Sequence, residues 1–189
     1  MNERAPLSLA QREAALKDVL GADSDAMIEA SKRLSSDRST TSTLLAMLET
    51  ERRVETRHAL LYALSWHGDL GIWDLLVSIL ADLREAPRVR GQAAEGLSYL
   101  FMSVRTDSRD FEVAVHALRD ALKDSSPEVR YCAVNALGGT GHLPLIPVLQ
   151  EMREDRTPVP GWMGSVGEEA SRAIEALEGL HRMRLKNGR

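Results

Sequence analysis

The sequence predicts an all-α fold, an α-solenoid that winds about five stacked helical hairpins into a right-handed superhelix. Three observations predict it. Among 189 residues there are 22 alanines and 27 leucines, whereas aromatics reach only 4%, so strong helix formers dominate and strand-preferring side chains are scarce. Four segments align without gaps: Thr56–Leu64 (TRHALLYAL), Val89–Leu97 (VRGQAAEGL), Val129–Leu137 (VRYCAVNAL) and Val166–Ile174 (VGEEASRAI). Their first residues are 33, 40 and 37 positions apart, and each segment is preceded by a second amphipathic stretch, so the repeating unit is a helix pair.

Within each aligned segment, counting from its first residue, offset 0 holds Val or Thr, offset 4 Leu or Ala, offset 7 Ala or Gly, and offset 8 Leu or Ile. That spacing traces one face of an α-helix, and its small residues let neighbouring helices approach closely. In chain order, Ser8–Leu20 opens with the capping-box pair Ser8 and Gln11, and Asp23–Leu34 reads as its partner helix. Residues 1–38 thus form a divergent N-terminal capping hairpin, and 39–181 hold four repeats. The first helix of each repeat has its own apolar stripe: Leu44, Leu45, Met47 and Leu48; then Ile72, Leu75, Leu76, Ile79, Leu80 and Leu83; then Phe111, Val115, Leu118 and Leu122; then Leu145, Ile146, Leu149 and Met152. Ser126-Pro127-Glu128 supplies a cap, a first-turn proline and an acidic residue before Val129, and Gly138-Gly139 ends the helix that follows. No domain boundary is evident, so 1–189 reads as a single domain whose residues 182–189 are a frayed basic tail.

Two stretches resemble HEAT-like repeats, in the short bacterial form also found in phycobilin lyase subunits. One is Asp124–His142, in which Asp124, Ser125, Ser126 and Pro127 run into EVRYCAVNALGGTGH; the other is Ala86–Leu100 (APRVRGQAAEGLSYL). Thr56–Gly68 and Val166–Leu177 match more weakly. The resemblance implies a stack of helical hairpins that serves as a scaffold, an inhibitor or, in some members, an enzyme. It also implies that an acidic residue before the second helix pairs with an arginine in its first turn. Asp124 and Arg130 fit that pattern and Glu51 and Arg57 are a looser copy, whereas Arg90 lacks an acid at the same spacing and Gly167 replaces the arginine. These arginines read as a structural ladder.

Chemistry-bearing constellations are missing from the sequence. Cys132, the single cysteine, has no histidine nearby in sequence and reads as a small, partly buried hydrophobe; it excludes an intrachain disulfide framework. His58, His67, His116, His142 and His181 are scattered, with no pair at helical metal-ligand spacing. Gly138-Gly139-Thr140-Gly141 has no following lysine and ends a helix, so it is no phosphate cradle. The expectation is no catalytic residue, no metal and no cofactor. A net charge of −4 is a poor balance for holding a phosphate backbone. No apolar run is long enough to span a membrane, and the start MNERAPLSLAQRE is polar, which reads as a soluble cytoplasmic chain.

What remains is surface. The packed face uses offsets 0, 4, 7 and 8, which turns offsets 3, 6 and 10 away from it. Offset 6 holds Tyr62, Glu95, Asn135 and Arg172; offset 3 includes Gln92; offset 10 gives Trp66 and Tyr99. Tyr62, Trp66, Gln92, Glu95, Tyr99, Asn135 and Arg172 are therefore the expected partner-binding strip on the concave side, aromatic anchors ringed by polar groups. Trp162, in the loop PVPGWMGSVG, is either a rim contact or a lid over the last helix pair. The function that follows is a non-enzymatic protein-protein interaction scaffold, such as a bacterial adaptor or an immunity protein that occludes a toxin domain. The alternatives are a nucleic-acid-binding relative of the DNA glycosylases, disfavoured by Glu95, Glu168 and Glu169, and a phycobilin-lyase-like subunit.

Overall fold

The computed structural model describes residues 6–186. Among the described residues there are ten α-helices and no strand, only the isolated antiparallel bridge between Pro158 and Ser165. The chain packs as two compact units that divide between Ile72 and Trp73.

In the first unit, α1 (Leu9–Val19) pairs with α2 (Ser24–Leu34) and α3 (Thr41–Thr50) with α4 (Val54–Ser65). The expected capping box is present: the Ser8 hydroxyl accepts from the Gln11 amide, and the Gln11 side chain accepts from the Ser8 amide. Asp23 caps α2 through the Ala26 amide. Ala15, Val19, Ala30, Leu34, Leu44, Leu60, Leu61 and Leu64 form the buried core. Asp37 and His67 are among the polar groups buried with them. Asp37 accepts from the Arg12 guanidinium at 3.0 Å and from the Ser39 hydroxyl and amide. Burial alone would raise its carboxyl, but those donors outweigh it and hold it below the usual carboxylate range. His67 is fully buried: its Nε2–H donates to the Leu34 carbonyl at 2.9 Å, which leaves Nδ1 to accept from the Thr41 hydroxyl at 2.8 Å. Burial holds the imidazole below its ordinary value of 6.5.

In the second unit, α6 (Pro87–Leu100), α8 (Pro127–Gly138) and α10 (Val166–Lys186) pack side by side in sequence order. Behind them lie α5 (Trp73–Ala81), α7 (Arg109–Ala121) and α9 (Ile146–Met152), each packed on the second helix of its own hairpin. Edge-to-face aromatic contacts run through this core, from Trp73 to Phe101 (5.2 Å between centroids), Phe111 (5.5 Å) and His142 (5.4 Å). Leu83 departs from the expected stripe: α5 ends at Ala81, and the leucine stands 79% exposed in the turn. At the other end α10 runs to Lys186, through residues 182–186 that the sequence assigns to a tail; residues 187–189 lie outside the described ones.

The arginine ladder exists, but it connects different partners from those the resemblance implies. Asp124 receives the Arg90 guanidinium through both carboxylate oxygens, the second at 3.3 Å, so the arginine of one repeat holds the acid that precedes the second helix of the next. Arg130 repeats this one unit on, with its Nε 2.8 Å from Asp155 Oδ2. Toward its own Asp124, Arg130 donates only to the main-chain carbonyl, at 2.8 Å. Glu51 likewise pairs with Arg53, whose guanidinium, with the amides of Arg52 and Arg53, lowers the carboxyl to about 2; Arg57 donates to the Leu48 and Glu51 carbonyls. Each acid also accepts the amide two residues on (Ser126 for Asp124, Thr157 for Asp155), so it shapes the turn while it binds the arginine.

Two expected outcomes follow from these buried polar groups. Asp124→Ala strands the almost fully buried Arg90 guanidinium and lowers stability by about 3 kcal/mol or more, whereas the double change Arg90→Met with Asp124→Leu recovers most of that loss; urea unfolding of the three chains checks it. For His67, the folded-state pKa lies below the unfolded value, so the unfolded chain takes up the proton first as pH falls. Its contribution is intact above pH 6.5 and is lost progressively below it. Denaturation midpoints should therefore fall more steeply between pH 6.5 and the acid range in the native chain than in His67→Gln.

Candidate functional site

Offsets 3, 6 and 10 of the second helices do not share one environment. To lie between α6 and α10, α8 uses two lateral strips, one toward each neighbour. Gly91 and Ser98 of α6, at offsets 2 and 9, meet Cys132 and Gly139 of α8: a Cβ on Gly91 would lie 3.3 Å from the Cys132 sulfur, and one on Gly139 3.2 Å from the Ser98 carbonyl oxygen. Gly138 of α8, again at offset 9, lies so close to α10 that a Cβ there would be 2.8 Å from Ala173 Cα. Gly139 has φ −70°, an ordinary helical value. Gly138 is thus required for space between helices, and neither glycine serves a left-handed helix end.

Offset 3 is therefore a packing position. Ala59, Gln92, Cys132 and Glu169 are all buried there, and Gln92, expected to line the binding strip, is only 4% exposed, with no hydrogen-bond partner for its Nε2. Cys132 is buried too; burial first, and then the carboxylates of Glu95, Glu128 and Glu169, push its thiol well above 9, which suppresses the thiolate.

Offsets 6 and 10 do reach the surface. On α6, Tyr99 is 39% exposed and donates its phenol to Glu95 at 2.6 Å; Asn135 of α8 and Arg172 of α10 are exposed. Asn135 and Arg172 meet through a residue that the sequence pattern leaves outside the strip. Glu169 accepts the Asn135 amide on Oε1 and the Arg172 Nε on Oε2, each at 2.8 Å. Arg172 also donates from Nη2 to the Tyr131 hydroxyl at 3.1 Å and to the Met163 carbonyl at 2.8 Å, and the Tyr131 ring lies 4.9 Å from that of Trp162. Burial, then Glu169, raises the Tyr131 phenol above its usual value, so it stays a neutral hydrogen-bonding group. In the first unit, Tyr62 and Trp66 form an aromatic pair of their own on α4 and its C-terminus, 6.3 Å apart, with Trp66 51% exposed. The sequence signal for Tyr131 and Glu169 is the offset-2 and offset-3 pairing of adjacent second helices, invisible until the lateral strips are known, whereas Trp162, which the sequence reads as a rim contact or a lid, lies in the loop before α10.

Among the described residues no group of three His, Cys, Asp or Glu side chains could hold a metal ion, and no helix is long and apolar enough to cross a membrane. Residues 73–159 match the family model described as HEAT repeats. These residues form HEAT-like repeats. The matched stretch carries the two segments with the strongest resemblance, Ala86–Leu100 and Asp124–His142. The protein is also similar to a chain in the structure of the complex of CpcE and CpcF of phycocyanin lyase from Nostoc sp. PCC7120, at a TM-score of 0.69 and 20% identity, over 89% of this chain and 99% of that one. With ten helices in hairpin order, that likeness makes the fold an α-solenoid. No curated protein matches the sequence.

The spacing of the second helices sets the geometry of the exposed row, so it is the feature to perturb. Gly138→Ala gains helix propensity of up to ~1 kcal/mol, but its methyl meets the α10 backbone; a net loss of about 1–3 kcal/mol by chemical denaturation is expected. Ala136→Leu, at a fully buried position, should cost a similar amount through overpacking.

Proposed function

We propose that this HEAT-like repeat protein is a non-enzymatic scaffold that binds another protein on the exposed face of its second helices, as an adaptor or as an inhibitor such as a bacterial immunity protein covering a toxin domain. The observation that carries this reading is the row formed by α6, α8 and α10. Three successive helices present Glu95 with Tyr99, then Asn135, then Arg172, and hydrogen bonds fix the side chains in place. Side chains held in this way lose little entropy on binding, which suits a protein interface. The row runs from acidic Glu95 through neutral Asn135 to basic Arg172, a pattern that fits a mixed polar surface better than a phosphate backbone. In the first unit, Tyr62 and Trp66 supply aromatic contacts of their own. The similar structure is itself a complex of two proteins, which supports a partner-binding role. The lyase-like alternative has the likeness of fold behind it and no particular residue.

The test is partner capture from the native host by the full chain. Glu95→Ala with Tyr99→Ala, on the exposed row, should weaken capture by on the order of 2 kcal/mol, about thirtyfold, without shifting the melting temperature appreciably. Arg119→Ala, on the exposed side of α7, should leave capture unchanged. Undiminished affinity in the double variant would remove the second-helix face from the interface.

A further inference from the structure

The loop between α9 and α10 is built in a way that packing alone does not require. Thr157 and Ser165 bring its ends together, with the Val166 amide on the Thr157 carbonyl at 3.2 Å and Pro158 bridged to Ser165. Gly161 and Gly164 have φ of +82° and +87°, values that L side chains rarely adopt, so Trp162 and Met163 are presented between two glycine hinges. Val159 is buried and anchors the loop, whereas the Met163 side chain points to solvent, 79% exposed. Inside the loop the main-chain bonds are few: Val159 to Gly164 at 3.4 Å and Trp162 to Val159 at 3.1 Å.

Two groups of the loop meet the face of α8 and α10. The Trp162 ring sits against Tyr131, and the Met163 carbonyl accepts from Arg172. An aromatic side chain next to a free main-chain carbonyl is also what a segment of another protein can offer. Arg172 is poised for such an exchange, because Glu169 and the Tyr131 hydroxyl hold its guanidinium in place whether or not the carbonyl is there. Releasing the loop would uncover the Tyr131 ring, only 5% exposed, beside Asn135 and Arg172 of the exposed row.

We propose that residues 157–165 are a strap latched by Arg172, and that it occupies the Tyr131 end of the second-helix face as an internal ligand. A partner protein takes this end by replacing the strap, with an aromatic side chain on Tyr131 in place of Trp162 and a main-chain carbonyl on Arg172 in place of Met163. The proposal rests on the scaffold reading above and adds the chemistry of the segment bound and a closed state that must open.

Hydrogen exchange tests the latch without any partner. Arg172→Gln should speed exchange of the Val159 and Trp162 amides about tenfold or more, while Ala133 and Val134 inside α8 keep their rates. Strap amides at native rates would overturn the latch. Replacement is tested with a fluorescein-labelled peptide of residues 157–165, TPVPGWMGS, added to the full chain. Trp162→Ala, with its folding checked by circular dichroism, should bind this peptide at least about tenfold more tightly than the native chain does. A peptide with alanine for its tryptophan should bind neither. Trp162→Leu serves as the vacated chain if the alanine variant does not fold. Equal affinities, or no saturable binding by the vacated chain, would overturn replacement. Loss of partner capture on changing Glu95 and Tyr99 reports separately on the scaffold reading, so a failure of one is distinguishable from a failure of the other.

Discussion

The second unit depends on the near-contact of its second helices. Where α8 meets α10, the backbone at Gly138 lies against Ala173 with no room for a methyl group, and where α6 meets α8, Gly91 and Gly139 face Cys132 and Ser98. Small residues at these points give up their own buried area, but they let two helices share a long strip of van der Waals contact at a density that larger side chains would prevent. They also fix which positions are left over. Once offsets 2 and 9 on one helix and 3, 7 and, at Gly139, 10 on the next are consumed by packing, the positions between the strips reach the surface, and those carry Glu95, Asn135, Arg172 and Tyr99.

Charge then sets the stagger that the close packing leaves free. A glycine-lined strip is smooth and would tolerate some sliding of one helix along another. The Arg90–Asp124 and Arg130–Asp155 pairs join each repeat to the next at the N-terminal ends of these helices, at sites largely withdrawn from water. Such pairs add little net stability, because desolvation offsets much of the attraction, but a misplaced repeat would leave a charge buried without its partner. Asp155 shows the balance: burial pushes its carboxyl up, and Arg130 with the Thr157 hydroxyl and amide pull it below the ordinary range.

The network around Arg172 is of another kind. One guanidinium joins Glu169, Tyr131 and the Met163 carbonyl while remaining partly in solvent. It lies where helix packing ends and the exposed row begins, so its bonds are open to competition from an incoming chain in a way that those of Arg90 are not. Arg90 and Arg172 share a residue type and differ in burial and in what they hold.

Much of this was determined by the sequence alone. The 3.6-residue apolar spacing, the small residues at offsets 4 and 7, the Ser8–Gln11 capping box and the repeat interval specify helices, their pairing and their order, because each depends on residues within a few turns of one another. Offsets 6 and 10 were legible as exposed for the same reason. The tertiary structure decided whatever depends on the neighbouring repeat. Gln92 reads as polar and outward on an isolated helix, yet it is buried in the structure, as is Cys132 of the same column, which lies against Gly91 of α6. Asp124 and Arg130 look like partners within one turn, but the carboxylate is claimed by Arg90, 34 residues earlier. Tyr131, Glu169 and Trp162 come together only because α8, α10 and the loop before α10 fold onto one another. A helix's own sequence fixes which of its residues share a face, whereas which face is covered, and which charge meets which, is set by residues far away in the chain.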